Sequence, residues 1–265
     1  MAGKNGAIIE LRGVSKSFGR QRVLERIDLA IEPRKNTVII GRSGTGKSVL
    51  LKHIVGLLNP DRGGVYGEGQ RIDQLSEADW VPIRQQVGFV FQLNALFDSM
   101  TVLENVAFPM TENRRGRLDR ARVRELATRC LEMVGLAGFE PKYPAQLSGG
   151  EKKRVAIARA IAIDPPPKVI LYDEPTAGLD PQRSDVINKL IRQMQETVHV
   201  TGVIVTHDMR STAEVGDRVF MLYNSRFIAE GTPDEVLRAS DPRVRRFAQG
   251  VAEPSDISSL TADQD

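Results

Sequence analysis

The sequence predicts an α/β fold in which a mainly parallel β-sheet carries helices on its faces. Apolar runs of strand length occur at residues 37–40, 87–91, 169–174 and 203–205, and each ends at glycine or polar residues. Short runs that are apolar almost throughout are typical of strands buried on both faces. Because ligands bind at the carboxyl ends of such strands, the residues that follow them are the candidate site.

The N-terminal residues predict a smaller antiparallel layer beside this sheet. Residues 7–11 and 23–31 have the composition of short strands separated by turns, and NPDRGG and YGEGQ mark turns around further strand material. Phe18 lies between the first two strands. An aromatic ring in a β-rich segment can belong to the core, or it can lie exposed and stack on a nucleotide base.

The segment GRSGTGKS, residues 41–48, predicts a phosphate-binding loop. It stands between a strand and a helix-compatible run at residues 49–57, and its glycines let successive N–H groups turn around an anion. Lys47 would reach the β- and γ-phosphates, and the Ser48 hydroxyl would ligate Mg²⁺. A glycine-rich turn without a ligand is the alternative. The expected nucleotide contacts of the loop are Gly41, Arg42, Ser43, Gly44, Thr45, Gly46, Lys47, Ser48 and Val49.

Polar side chains follow the other three apolar runs. Gln92 ends the second run, where its amide can lie beside the metal ion. Asp173 and Glu174 end the third run, and Asp173 would hold Mg²⁺ through water. Two adjacent acids are common at surface turns, but here they directly follow a buried strand. His207 follows the fourth run; a lone histidine is usually structural, but this one stands at the ligand-binding edge of the sheet.

Residues 93–163 predict an inserted helical subdomain. The capping box TVLE begins one helix, and residues 117–134 have apolar side chains at helical spacing. Leu96, Phe97 and Met100 fall in the loop before the first of these helices. They either pack inside the protein or line a hydrophobic groove for the helix of a partner.

The segment LSGGEKKRVAIARAIAI closes the subdomain and predicts a second anion site. Ser148, Gly149 and Gly150 precede a long helix, so backbone N–H groups and the helix dipole favour a negative charge there. Only the first anion site has a lysine and a metal ligand. The second would therefore serve a nucleotide held by another copy of the chain.

The combination of LSGGE, GRSGTGKS and VILYDEP resembles the ATP-binding cassette (ABC) ATPases, which have a P-loop NTPase core. The resemblance runs from about residue 8 to residue 237. It implies that Glu174 polarises the attacking water, that His207 contacts the γ-phosphate, that Asp180 faces the second subunit and that Phe18 stacks on the base. ATP and Mg²⁺ are the implied cofactors. The implied catalytic residues are Lys47, Glu174 and His207, the metal ligands are Ser48, Gln92 and Asp173, and further nucleotide contacts are Phe18, Gln92, Ser148, Gly149, Gly150, Glu151 and Asp180.

The segment VGFVFQLNALFDSMTVLENVAFPM looks like the ATPases of Mce-type lipid transporters, such as the Mla phospholipid system and its chloroplast counterpart. YDEPTAGLDP, FIAEGTPDEV and DPRVRRF agree, whereas LSGGEKKR departs from the more divergent signature of the Mla enzyme. The resemblance implies an ATP-dependent homodimer that drives lipid transport through a permease contacted at residues 93–100. It also implies an Mce-domain protein in the complex and a place on the cytoplasmic side of the membrane.

Three other functions stay as alternatives. The first is another ABC transporter, either a small-solute importer or an exporter of lipoproteins or drugs. The second is a soluble ABC protein acting on DNA or ribosomes, although this chain has neither the inserted coiled coils nor the two cassettes of those classes. The third is a P-loop kinase, which LSGGE and His207 argue against.

Composition excludes several further classes. The net charge is +3, from 37 basic and 34 acidic residues, and does not indicate nucleic acid as a partner. No apolar run approaches the roughly 20 residues of a membrane span, and the N-terminus has no signal-peptide core, so we expect a cytosolic chain. The single cysteine, Cys130, cannot form an internal disulfide; it is either a buried helix residue or a reactive thiol. His53 and His199 match no motif.

The expected domain is an ABC ATP-binding domain at residues 8–240, with its core at 8–92 and 164–240 and the helical subdomain at 93–163. Residues 241–265 predict a short helix and a polar, acidic tail that is disordered or used for a contact. A basic cluster interleaved with acids predicts a solvated helix face, or a contact with a partner or anionic lipid. Its members are Arg114, Arg115, Arg117, Arg120, Arg122 and Arg124.

Overall fold

The computed structural model describes residues 6–112 and 118–251. Three arginines of the predicted basic cluster, Arg114, Arg115 and Arg117, and the predicted acidic tail at residues 252–265 lie outside this range. Within it, no helix is both long and apolar enough to cross a lipid bilayer.

The central sheet has six strands in the order β10-β9-β3-β8-β7-β6. Strands β6, β7, β8, β3 and β9 pair in parallel, and only β10 is antiparallel to its neighbour. The mainly parallel sheet predicted from the apolar runs is therefore confirmed. Its strands are β3 (Asn36–Ile40), β6 (Val87–Val90), β7 (Val169–Asp173), β8 (Thr201–Thr206), β9 (Arg218–Tyr223) and β10 (Arg226–Gly231).

The second sheet is antiparallel, in the order β2-β1-β4-β5. Its first two strands are longer than predicted and form one hairpin, in which Phe18 pairs with Gln21. The pairing register shifts between Leu11 and Val14 and twice more before Phe18. Each shift interrupts the alternation of apolar and polar residues, so the pattern in the sequence shows only part of each strand. The strands are β1 (Ile9–Phe18), β2 (Gln21–Ile31), β4 (Arg62–Gly67) and β5 (Gln70–Arg71).

Helices cover the central sheet and form the middle of the chain. Helix α4 begins later than residue 117, because the Asp119 side chain accepts the Ala121 N–H at 2.6 Å and caps the helix there. Helices α2, α6 and α7 were not predicted. The helices are α1 (Lys47–Ile54), α2 (Glu77–Arg84), α3 (Val102–Glu112), α4 (Arg120–Met133), α5 (Gly149–Ile161), α6 (Pro181–Gln193), α7 (Met209–Val215), α8 (Pro233–Leu237) and α9 (Pro242–Ala248), with a 3₁₀ turn at Pro144–Gln146 and a π turn at Met194–Val198.

One apolar core joins the helical segment to the central sheet. Val90 and Tyr172 from the sheet belong to the same buried cluster as Val106 on α3, Leu131 on α4 and Ile157 on α5. A second cluster fills the space between the two sheets. Helices α3 to α5 are therefore fixed on the sheet by shared packing, and the division of the chain at residues 93 and 163 stays a prediction.

Candidate functional site

The glycine loop turns directly from β3 into α1. Gly46, the residue before α1, has a backbone φ of 103°, which side chains other than glycine rarely adopt. A Cβ at this position would lie 2.7 Å from Cγ1 of Val23, so the space beside the loop is also closed to a side chain. The loop is thereby held against β2, at the N-terminus of a helix, as the sequence predicted.

Lys47 reaches back over this loop. Its ammonium donates hydrogen bonds to the carbonyl oxygens of Gly41 at 2.7 Å and Arg42 at 3.0 Å. The side chain is 6% exposed, and its Nζ lies 3.4 Å from Oε1 of Glu174. A buried ammonium group beside the N-terminus of a helix favours the binding of a phosphate.

Glu174 follows the end of β7 in a left-handed backbone conformation, with φ 48°. This conformation costs about 1–3 kcal/mol for a residue that is not glycine, and it persists only where surrounding contacts hold it. Its N–H donates to the Val205 carbonyl oxygen at 2.9 Å, and Oε2 lies 2.9 Å from Nδ1 of His207. The three predicted catalytic residues, Lys47, Glu174 and His207, therefore meet in one place.

The predicted metal ligands also converge, in part. The Ser48 hydroxyl donates to Oδ1 of Asp173 at 3.0 Å, which joins the first turn of α1 to the end of β7. Burial raises the pKa of Asp173 above its usual range, and the hydrogen bond from Ser48 opposes that shift. The described residues contain no group of three His, Cys, Asp or Glu side chains placed to hold a metal alone. A hydroxyl and a carboxylate oxygen suit Mg²⁺, which normally takes its other ligands from water and substrate phosphates.

Gln92 is held through its main chain by a residue that the sequence analysis missed. Nζ of Lys153, on α5, donates to the Gln92 carbonyl oxygen at 2.5 Å and lies 3.4 Å from that of Glu174. Lys153 is 3% exposed; burial lowers the pKa of its ammonium, while Asp173 and Glu174 favour the charged form. Its spacing of three residues from Gly150 and four from Ile157 on the buried face of α5 is the signal that could have identified it.

The second predicted anion site lies at the N-terminus of α5. The Ser148 side chain caps the helix, while the Glu151 carboxylate accepts the Ser148 N–H at 2.7 Å and turns that donor toward its own helix. A Cβ placed on Gly149 would be nearest to Leu179, in the loop whose Asp180 caps α6. The structure thus places the LSGGE segment and the Asp180 loop side by side.

Phe18 lies at the tip of the hairpin between β1 and β2. Its ring is 47% exposed, with Nζ of Lys16 5.7 Å from the ring centroid. The ring is therefore not part of the core. A cavity of 280 Å³ lies beside the phosphate loop, and Phe18 is not among the residues that line it. Stacking of Phe18 on a base stays a prediction.

A wide apolar groove of 590 Å³ is lined by residues of β6 and of the loop that follows it, together with residues of helices α2, α3 and α5. Phe97 is 39% exposed and packs on Phe108, with ring centroids 4.6 Å apart, while Leu96 packs on the core. Leu96 is thus partly buried against the core and Phe97 faces the groove, while the binding of a partner's helix there stays a prediction. The lining residues are Val81, Arg84, Gln85, Val87, Gly88, Phe89, Phe91, Ala95, Phe97, Phe108, Pro109, Arg159, Ala160 and Ile163.

Side chains of two helices fix the shape of this loop. Asn105 on α3 is fully buried and binds both the N–H and the carbonyl oxygen of Phe97. Arg159 on α5 donates to the carbonyl oxygens of Asn94 at 2.7 Å and Ala95 at 2.6 Å. Asn94 and Ala95 have φ values of 64° and 49°, so the loop is held in a conformation that it would not adopt alone.

Three residues without a predicted role stay outside the site. Cys130 is partly buried on α4, and burial raises the pKa of its thiol to about 11, which favours an unreactive thiol. His53 is buried in α1 with Nδ1 2.7 Å from the Val49 carbonyl oxygen. His199 ends the π turn after α6.

The sequence matches one family model, described as ABC transporter, over residues 24–177. Three curated relatives illustrate the range of similarity. The probable ribonucleotide transport ATP-binding protein mkl of Mycobacterium leprae is 38% identical, over 92% of this chain and 70% of that protein. The intermembrane phospholipid transport system ATP-binding protein MlaF of Haemophilus influenzae is 36% identical, over 94% and 93%. The sulfate/thiosulfate import ATP-binding protein CysA of Yersinia pseudotuberculosis is 39% identical, over 94% and 67%.

Solved structures share the fold. A dimeric, post-hydrolysis state of the ATP-binding cassette MJ0796 bound to ADP and Pi superposes with a TM-score of 0.77 and 35% sequence identity. The match covers 85% of this chain and 98% of that chain.

Proposed function

This chain belongs to the ABC transporter family and is an ATPase, and from that premise we propose that it is the motor subunit of a lipid transporter, with phospholipid as the class of substrate. The observation that carries the proposal is the likeness to the phospholipid transport protein MlaF over 94% of this chain. The segment from β6 to α3, which resembles Mce-type ATPases, lines part of the apolar groove and supports the same assignment. A permease of that class is the expected partner, together with an Mce-domain protein.

The proposed chemistry is attack of water on the γ-phosphorus of ATP, with a proton of the water passing to Glu174. The bond between the γ-phosphorus and the oxygen that bridges it to the β-phosphorus breaks, so ADP leaves and inorganic phosphate forms. On binding ATP, Lys47 would exchange the Gly41 and Arg42 carbonyl oxygens for phosphate oxygens, and His207 would contact the γ-phosphate while holding Oε2 of Glu174. Ser48, Asp173 and Gln92 would hold Mg²⁺, which when bound neutralises charge on the phosphates. The other proposed nucleotide contacts are Phe18, the remaining residues of the phosphate loop up to Val49, and, for the nucleotide of the second copy, Ser148, Gly149, Gly150, Glu151 and Asp180.

A second copy of the chain completes each site in this proposal. The α5 N-terminus with Ser148, Gly149 and Gly150 lies beside the loop with Asp180, since a Cβ added to Gly149 would be 3.6 Å from Cδ2 of Leu179. Support for two copies comes from the related cassette, whose solved structure is a dimer bound to ADP and Pi. The dimer would form when ATP is bound, because the phosphates supply contacts to both copies.

The groove supports peripheral attachment to a permease. Four phenylalanine rings are among the residues that line it, with Phe89 stacked on Phe91 at 4.2 Å between centroids, and a helix of a partner can bury them. The chain would then lie at the cytoplasmic side of the membrane, with residues 8–240 as the ATP-binding domain and 93–163 as its helical subdomain.

Import of a small solute is the second candidate. It is favoured by the 39% identity to the sulfate/thiosulfate protein CysA, and the 38% identity to mkl, named for ribonucleotide transport, points to another solute. The two candidates share the ATPase and differ in substrate.

We expect Glu174→Gln to lower the turnover of ATP by roughly 100-fold or more, because the amide keeps the shape of the side chain but cannot accept the proton. Binding of a fluorescent ATP analogue should stay near that of the wild type. The measurement is steady-state phosphate release at saturating MgATP, with Asp185→Asn, a partly exposed carboxylate on α6 that pairs with Lys189, as the control. Hydrolysis near the wild-type rate in Glu174→Gln would remove Glu174 from its role.

The substrate is tested with the full chain, its permease and its Mce-domain partner in proteoliposomes. The proposal predicts ATP-dependent movement of labelled phospholipid that stops when Glu174→Gln replaces the wild-type chain. Uptake of radioactive sulfate or ribonucleotide under the same conditions, without movement of phospholipid, would favour the second candidate instead.

The groove is tested by Phe97→Asp. A carboxylate buried without a partner costs several kcal/mol, so this change should eject the permease helix and abolish co-purification with the permease. The free subunit should keep its thermal stability and nucleotide binding, since the ring is already 39% exposed. Leu57→Asp, at a residue that is 58% exposed after α1, is the matched control and should leave the complex intact. Unfolding of the free Phe97→Asp subunit, or survival of its complex, would contradict the groove assignment.

A further inference from the structure

The main chains of Gln92 and Glu174 leave neighbouring strands at the same edge of the sheet. Val90, at the end of β6, pairs with Tyr172 on β7, so the two residues that follow these strands lie side by side. Gln92 begins the loop toward the apolar groove, and Glu174 begins the loop toward α6. The relative position of these two loops decides where the amide and the carboxylate stand beside a nucleotide.

One buried ammonium touches both main chains. Lys153 donates to the Gln92 carbonyl oxygen at 2.5 Å and lies 3.4 Å from the Glu174 carbonyl oxygen. The Glu174 carbonyl oxygen also accepts the N–H of Ala177 at 3.1 Å, but that contact belongs to its own turn. Lys153 is therefore the side chain that connects the turn of Glu174 to the start of the loop at Gln92.

We propose that Lys153 is a positioning residue for ATP hydrolysis: its ammonium fixes the backbone of Glu174 relative to Gln92 and ties both to helix α5. The inference rests on the roles proposed above for Glu174 and Gln92. It assigns no contact with substrate to Lys153. Its effect passes through the two carbonyl groups.

The surroundings of Lys153 explain why a cation is needed there. Glu174 has a left-handed backbone with φ 48°, and such a conformation relaxes when its contacts are removed. Hydrogen bonds from a charged donor are roughly twice as strong as neutral ones, so the ammonium is an effective restraint. The side chain is 3% exposed, which leaves water little access to replace it.

Because Lys153 lies on α5, the restraint also links Glu174 to the movement of that helix. Arg159, further along the same helix, donates to the carbonyl oxygens of Asn94 and Ala95, and Ala95 is one of the residues that line the groove. Helix α5 therefore holds the first half of the loop at two places, and the N-terminus of the helix carries the LSGGE segment. Of these two cations, Lys153 alone contacts the proposed catalytic residue. A displacement of α5 would reach Glu174 through Lys153.

The test compares Lys153→Met with Arg154→Met in the full chain. Methionine keeps the unbranched shape and most of the length of the lysine side chain but donates no hydrogen bond. Arg154 is the next residue on α5 and also donates to main-chain carbonyls, but to those of Val134 and Gly135 after α4. We expect Lys153→Met to lower kcat by roughly 10- to 100-fold, the scale of misplacing a catalytic group, with the Kd for MgATP changed less than about threefold. Arg154→Met should lose thermal stability but keep kcat.

Two results would overturn the inference. One is a folded Lys153→Met variant with kcat within about twofold of the wild type; the other is an equal loss of kcat in Arg154→Met. If Lys153→Met does not fold, Lys153→Gln replaces it in the test. The glutamine amide can still donate to one of the two carbonyl groups, so we expect a measurable but smaller loss of kcat. A wild-type kcat in Lys153→Gln would then overturn the inference. Failure of the role proposed for Glu174 can be told apart from failure of the inference about Lys153. It would appear as normal hydrolysis in Glu174→Gln, independently of the kcat of the Lys153 variants.

Discussion

The buried carboxylate of Glu174 is the point on which the site depends. A charge that is removed from water is stable only when it is paired and hydrogen-bonded, and Glu174 is 8% exposed. One oxygen lies 3.4 Å from the Lys47 ammonium, and the other lies 2.9 Å from the His207 ring. The contacts of this one carboxylate therefore hold three elements together: the phosphate loop, the end of β7 and the end of β8.

The loop after β6 connects this charged centre to an apolar surface. Asn105 binds the N–H and the carbonyl oxygen of Phe97, and Arg159 binds the carbonyl oxygens of Asn94 and Ala95, so the backbone on which the Phe97 ring stands is fixed from both helices. The same helix, α5, supports the loop and begins at Ser148, where the second anion site is proposed. A movement at the groove and a change at the nucleotide would therefore act on shared contacts.

The parts of the site that are local in sequence could be predicted from it. The glycine loop, the paired acids after β7 and His207 after β8 each follow an apolar strand, and parallel strands bring their carboxyl ends to one edge. Lys153 could not be assigned in the same way, because its partners are 61 and 21 residues away in the chain. The length of β1 was hidden for a different reason, since its register shifts break the alternation on which the prediction relied.

In the proposed dimer, each catalytic site combines Lys47 of one copy with Ser148 of another. Mixing two inactive variants, Lys47→Ala and Ser148→Arg, tests it most directly, because a mixed dimer contains one site with both residues intact. Under single-turnover conditions with MgATP, the mixture should hydrolyse ATP at about a quarter of the wild-type amplitude, since about half of the dimers are mixed and each mixed dimer has one intact site of two. Each variant alone should stay inactive. A mixture that is as inactive as its components, although the two variants associate, would contradict the claim.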